Sequence, residues 1–360
     1  MQTCLYLQKS YMYRSLIRPL LFLLPPEKIH DLIVSTVKIV FKIPGLARLL
    51  SSVYRYRKAK GLEIMGLYFP SRVGLAAGFD KNALFYKEFS VFGFGFIEIG
   101  TVTPKPQFGN PKPRSFRLPK DKALINRMGF NNLGVDDAVT RLKDRPANLI
   151  IGGNIGKNTL TPNKDAINDY EYCFEKLYNY VDYFVVNVSC PNISNLSELQ
   201  DQYMLEGILS RLIQLRALKS TQKPVLLKIS PDLNYKQVDE TLKIIEKTRI
   251  DGIVATNTSI QRNNLVTDQE KVRKIGNGGL SGRPISERST EMIRYIRKKA
   301  GKELPIIGVG GIMTEGDAME KISAGADLIQ VYTGFIYEGP VLIKRILRKM
   351  EEEGRNVLEF

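Results

Sequence analysis

A cysteine, two lysines and a set of asparagines are the residues best suited to chemistry, and each lies in or just after a short apolar run. Cys190 stands in Asn-Val-Ser-Cys-Pro-Asn. A reference thiol pKa of about 8.5 lies much nearer neutrality than that of a hydroxyl, so a positioned thiolate can act as general base. Most free cysteines are small buried hydrophobes, and Cys4 and Cys173 are read that way. Cys190, between Ser189 and Pro191 in a polar stretch, is read as the base. Lys81 and Lys228 also close apolar runs. A lysine drawn into an enclosed mouth needs an anion to offset its desolvation. Asn126, Asn131, Asn154, Asn187, Asn192 and Asn257 occupy comparable positions. A carboxamide both donates and accepts, which suits the alternating edge of a flat heterocycle. Any single one could equally satisfy a loop backbone.

Glycines add a third chemistry. Gly308-Val309-Gly310-Gly311 and Thr333-Gly334 follow the last two apolar runs, and Ser281-Gly282-Arg283 precedes them. Glycine lets backbone N–H groups approach a phosphate closely. The alternative is that they only make tight turns. Their joint position favours a phosphate, carried by a substrate or by a cofactor such as FMN. A substrate carboxylate or a reduced flavin ring would then be the anion for the lysines.

Elements that could bring these groups together are legible from residue 70 onward. Apolar, β-branched runs occur at Val73–Ala76, Phe96–Ile99, Leu149–Ile155, Tyr183–Val188, Val225–Ile229, Gly252–Thr256, Pro305–Val309 and Leu328–Tyr332. Stretches of helical spacing separate most of them, the pattern of βα units. Eight such units predict an α/β fold, a parallel (β/α)8 TIM barrel, with a doubly wound open sheet as the alternative. The polar residues fall after the strands, at the rim where barrel enzymes place their active sites.

The composition is that of a soluble globular chain, with 43% hydrophobic and 25% charged residues. One histidine, His30, makes a His-rich metal site or a Ser-His-Asp triad a poor reading, and three scattered cysteines form neither a disulfide framework nor a zinc pattern. The net charge is +16, yet residues 1–60 hold eleven Lys/Arg against two Asp/Glu. Charge concentrated outside the barrel, without interleaved aromatics, argues against nucleic acid. Two helical runs, around Leu16–Leu24 and Ile29–Phe41, flank Pro25-Pro26, and the second is expected to stop near Pro44-Gly45. Neither is long enough to span a bilayer, and no signal-peptide cleavage site follows the first. They suit a segment lying on a membrane surface, a cap on the main domain, or an Arg-rich targeting sequence. The expected organisation is an amphipathic two-helix extension (1–45), a linker and barrel-bottom cover (46–69) and the barrel (70–360).

These stretches together resemble the dihydroorotate dehydrogenase family, at Gly74–Lys81, Ile97–Pro104, Pro111–Leu118, Asn126–Gly134, Asn154–Asn158, Asn187–Asn192, Thr256–Thr258, Gly279–Pro284, Ile306–Ile312 and Tyr332–Phe335. Length and the N-terminal helical pair resemble its membrane-associated, quinone-using branch. The resemblance implies an FMN enzyme that oxidises dihydroorotate to orotate in pyrimidine synthesis, a base taking the C5 proton while C6 gives a hydride to the flavin. By position it places FMN on Ala77, Gly78, Lys81, Thr101, Asn154, Asn187, Lys228, Thr256, Gly282, Gly311, Tyr332 and Thr333. It places substrate on Lys81, Asn126, Arg127, Met128, Gly129, Phe130, Asn187, Asn192, Asn257 and Thr258. It implies that residues 189–200 close over the substrate, and that His30, Arg117 and Tyr332 line a quinone passage through the N-terminal helices. It further implies a peripheral membrane protein, on the cytoplasmic side of a bacterial inner membrane or on a mitochondrial inner membrane.

Two departures stand out. The quinone branch normally carries serine where this chain has Cys190; cysteine is usual in the soluble branch, which uses fumarate or NAD. The loop reads Asn192-Ile-Ser-Asn-Leu instead of Asn-Thr-Pro-Gly-Leu. The N-terminal segment, not the base, selects the acceptor, so the expectation remains quinone.

Overall fold

The structure, a computed structural model, describes residues 12–188 and 199–356. Three helices open it. A π-helical turn at Tyr13–Ile17 runs into α1 (Arg18–Phe22), Pro25 separates this from α2 (Pro26–Val40), and α3 (Leu46–Tyr54) follows. Proline at the first position of α2 has no N–H to leave unsatisfied, and Glu27 sits at the positive end of the helix dipole. Next comes a hairpin of β1 (Leu62–Ile64) and β2 (Leu67–Phe69), turned through Met65 and Gly66. Both turn residues have positive φ, 55° and 71°, as a two-residue hairpin turn matched to strand twist requires. Residues 46–69, expected as linker and cover, thus contain a third helix and this hairpin.

The remaining strands are β3 (Val73–Leu75), β4 (Phe96–Val102), β5 (Ser115–Leu118), β6 (Ala123–Asn126), β7 (Ile150–Ile155) and β8 (Tyr183–Asn187), then β9 (Val225–Ile229), β10 (Gly252–Ala255), β11 (Gly279–Gly282), β12 (Ile306–Val309) and β13 (Leu328–Val331). Eight of them close a parallel barrel in chain order, β3-β4-β7-β8-β9-β10-β12-β13. The closure is the pairing of β13 with β3, Ile329 beside Val73. The expected eightfold barrel is therefore the one observed, and the open-sheet alternative is excluded. β5, β6 and β11 form a separate antiparallel sheet in which Asn126 stands opposite Ser115 and Gly279.

Alternation along the strands decides what fills the barrel. Phe96, Tyr183, Leu226 and Leu328 point into one interior cluster, while their neighbours Ile97, Phe184, Leu227 and Ile329 pack outward with the helices. Phe69 of the hairpin joins the inner cluster, its ring 5.2 Å from that of Phe96. A period of two then directs Glu98, Lys228 and Gln330 inward as well, two residues further along β4, β9 and β13. A polar layer thus lies above an apolar one inside the barrel.

Candidate active site

Glu98 is the hub of that polar layer. It is fully buried. Its Oε1 accepts from Asn154 Nδ2 at 2.8 Å, its Oε2 accepts from Gln330 Nε2 at 2.6 Å, and Lys228 Nζ lies 3.7 Å from Oε1. A buried carboxylate without such partners would be costly. Lys228 therefore finds an anion within the protein, which the sequence reading did not foresee. Glu98 and Gln330 were not among the expected site residues. The signal that could have found them is a charged or amide residue interrupting an apolar strand run, in Phe-Ile-Glu-Ile and Leu-Ile-Gln-Val.

Above this layer a chain of amides and hydroxyls crosses the strand ends. Thr101 Oγ1 donates to Asn154 Oδ1, Asn187 Nδ2 donates to Thr101 Oγ1 at 2.9 Å, and Asn257 Nδ2 donates to Asn187 Oδ1 at 3.2 Å. The main-chain N–H of Thr258 donates to Asn257 Oδ1 at 2.8 Å. Thr256 is held through its own main-chain N–H on the Val309 carbonyl. Four strands are thereby tied into one rim, with the carboxamide planes fixed before any ligand arrives.

Lys81 follows β3. Its Nζ donates to Asn131 Oδ1 at 2.5 Å. Burial, assisted by Arg114, pulls its pKa down to about 7, against a smaller opposing effect of Glu27. An ammonium whose hydrogen-bond partner among the described residues is a neutral amide favours an incoming anion. The segment Asn126–Phe130 is held beside it by Gln107, whose Nε2 donates to the carbonyls of Gly129 (3.2 Å) and Phe130 (3.1 Å). Met128 accepts from the main chain of Asn110. Within that segment Arg127 is set apart. Its guanidinium donates to the Ile275 and Pro113 carbonyls and lies over the Phe116 ring, so its side chain serves to anchor the antiparallel sheet.

The glycine-rich loops meet at β12 and β13. Gly311 has φ of 72°, and a Cβ there would lie 2.3–2.6 Å from atoms of Ser286. Gly282 has φ of 96°, and a Cβ would lie 2.4 Å from the Lys122 carbonyl. Neither position tolerates a side chain, as a backbone cradle for a phosphate requires. Ser281 Oγ and Thr333 Oγ1 are 2.9 Å apart across it. Ala77 and Gly78 follow β3, where the Gly78 N–H donates to the Gly100 carbonyl. Tyr332 Oη reaches the Gly78 carbonyl at 3.5 Å. A flat heterocycle with a phosphate tail, as in FMN, fits this donor set and this glycine-lined cradle with its two hydroxyls.

The N-terminal helices dock at the same rim. His30 packs edge-on against Phe79 and Phe85, at 5.7 and 5.6 Å, and Phe79 meets Tyr332 at 5.3 Å. Burial lowers the His30 pKa, with Lys81 adding to the effect and Asp31 opposing it. Arg117 donates to the carbonyls of Leu21 and Leu24 and covers the Phe22 ring. Arg14 pairs with the fully buried Glu338, Tyr13 Oη donates to the Ile336 carbonyl, and Arg114 pairs with Glu27 at 2.8 Å. Outward, the same helices are apolar. Among the described residues, ten of the twenty large exposed hydrophobics lie between Met12 and Leu49. No helix among the described residues is long and apolar enough to cross a membrane. Cys190 and Asn192 lie outside the described residues, while Cys173 is buried as expected.

Fold and mouth together are those of a parallel barrel enzyme with a polar rim at the strand ends and a glycine-lined cradle beside it. The chain belongs to the dihydroorotate dehydrogenase family, whose family model matches residues 61–353. It is 53% identical over 344 residues to "Dihydroorotate dehydrogenase (quinone)" of Christiangramia forsetii, covering 95% of this chain and 100% of that one. The corresponding protein of Idiomarina loihiensis is 45% identical over 92% of this chain and 98% of its own. A solved structure of DHODH from Eimeria tenella in complex with ferulenol superposes with a TM-score of 0.80 at 35% identity, covering 92% of each chain.

Proposed function

We propose that this chain is a quinone-dependent dihydroorotate dehydrogenase that binds FMN and works at a membrane surface as a peripheral protein. The reading rests on family membership, and the observation that carries it is the docking of the N-terminal helices onto the barrel mouth. His30, Phe79 and Tyr332 form a continuous apolar contact from α2 to the rim. A small apolar electron acceptor entering between these helices would reach the mouth without crossing water. Their exposed apolar side chains, and the excess of basic residues in this part of the chain, suit an anionic membrane.

FMN would be held by the carboxamides of Asn154 and Asn187, by Lys228 and Lys81, by Thr101 and Thr256, and by the cradle of Ala77, Gly78, Gly282, Gly311, Tyr332 and Thr333. When bound it supplies a hydride acceptor that can return two electrons to a quinone. Lys81 would pair with the substrate carboxylate. Asn126, Met128, Gly129, Phe130, Asn187, Asn192, Asn257 and Thr258 would orient the substrate ring so that one face meets the cofactor, with Arg127 contributing no side chain to it. Cys190 would take the proton from the ring carbon next to the one that loses hydride. Glu98 holds Lys228 and Asn154 in place beneath.

Comparing dihydroorotate turnover with a soluble quinone and with fumarate tests the reading. Quinone-linked turnover with little or none on fumarate is expected; turnover on fumarate alone would overturn it.

A further inference from the structure

On the far side of the barrel from the mouth, the chain builds a second cleft, lined by arginines and by apolar residues, that no step above uses. It has a volume of about 480 Å³ and lies between α3, the segment that follows it, and the loops leading into β3 and β4. Arg48, Arg55 and Arg57 line it. The guanidinium of none of the three has an ion-pair or hydrogen-bond partner among the described residues, and all three residues are exposed. Ser71 also lines the cleft; it is 3% exposed, and its Oγ is buried with no hydrogen-bond partner among the described residues. The acid joined to the lining is Glu351, which accepts the Tyr56 hydroxyl.

We propose that this cleft binds a phosphate group. A buried hydroxyl without a partner carries a desolvation cost that an incoming oxygen removes. Each guanidinium offers parallel N–H donors that match phosphate oxygens, and three unpaired cations around one cleft favour a multiply charged anion over a carboxylate. Two sources supply such a group: the headgroup of an anionic phospholipid, or a soluble phosphorylated metabolite. Leu49, exposed on α3 next to Arg48, and Ile43 before it place apolar surface beside the cleft, which points to the lipid.

The test uses the full-length, FMN-loaded protein. Binding is measured to inorganic phosphate by titration calorimetry, and to phosphatidylcholine vesicles with and without phosphatidylglycerol by flotation. The variants are Arg48→Gln/Arg55→Gln/Arg57→Gln, the charge-matched control Lys120→Gln/Lys271→Gln/Lys302→Gln, and Ser71→Ala, which leaves the charge unaltered. The cleft triple should weaken binding about tenfold or more, and the control less than about threefold. Ser71→Ala should weaken it about threefold, which a diffuse charge effect would not do. Losses with both probes identify a site for phosphate itself; a loss confined to phosphatidylglycerol vesicles identifies the lipid headgroup. Equal behaviour of cleft and control triples, or no measurable binding of either probe, overturns the proposal. Flavin reduction by dihydroorotate should stay unchanged throughout, so a failure here is distinguishable from a failure of the catalytic reading.

Discussion

Glu98 has three partners inside the barrel, and only one of them, Lys228, carries charge. Glu98→Gln keeps the shape and the Asn154 contact, and keeps the Gln330 contact once the Gln330 carboxamide turns over so that its Oε1 accepts, but leaves the Lys228 ammonium buried without an anion. Stability should fall by about 3 kcal/mol, read from urea unfolding. With FMN bound, the uncompensated cation should also move the flavin midpoint potential in the positive direction; an unmoved potential would mean that Lys228 does not act on the flavin. Cys190 belongs to the same scale. Cys190→Ala should keep FMN while slowing flavin reduction by about 100-fold or more. Cys190→Ser should retain activity with its pH–rate profile displaced upward, because a hydroxyl gives up its proton less readily than a thiol. Stopped-flow reduction across pH reads both, and superimposable profiles for cysteine and serine would remove the pKa argument. Lys81, Asn154, Asn187, Lys228 and Asn257 were legible because polar groups at the ends of apolar strands announce a mouth. Glu98 and Gln330 were hidden because they lie below the strand ends, inside runs that read as core. Arg127 shows the opposite limit: neighbours in one segment need not point the same way.

At the scale of elements, the barrel strands were legible because burial on both faces makes them near-continuous apolar runs. β5, β6 and β11 were not. Their four-residue runs sit in stretches rich in turn residues, and β11, far along the chain from the local β5–β6 hairpin, finds its partner β6 only through the tertiary fold. The hairpin before β3 escaped notice for a similar reason, since the role of Phe69 depends on the ring of Phe96. The N-terminal helices were legible as amphipathic but not as docked, and their docking relies on buried Glu338 receiving Arg14 and Lys122. Glu338→Gln removes that anchor while both cations keep access to solvent, so global stability should drop by only about 1–2 kcal/mol. Quinone-linked turnover should fall about fivefold or more if the helices loosen from the rim, while flavin reduction by dihydroorotate stays near wild type. Parallel loss of both rates would make the segment a structural brace and not an acceptor passage.

For the molecule as a whole, three buried titratable groups shape how stability follows pH. Lys81 is pulled down to about 7 and Lys321 to about 8, each chiefly by burial, from an ordinary 10.5. Between these values and 10.5 the unfolded chain binds more protons than the folded one, so stability rises with pH across that window and is lost as pH falls through about 8 and then 7. Asp80 runs the other way. Burial raises it from 3.8 to about 6, against the Leu84 and Phe85 N–H groups that its carboxylate accepts. Its contribution is complete below 3.8 and is gone once pH passes about 6. The melting temperature of the protein should therefore climb from neutral pH towards pH 9. Lys81→Met should flatten part of that climb and raise the melting temperature at pH 7, because an apolar side chain no longer desolvates a charge. It should also abolish orotate binding. Orotate added to the wild type should flatten the same part by giving the ammonium its anion. Thermal melts at several pH values, with and without orotate, check this, and a Lys81→Met curve parallel to the wild type would show that the lysine is not the group being titrated.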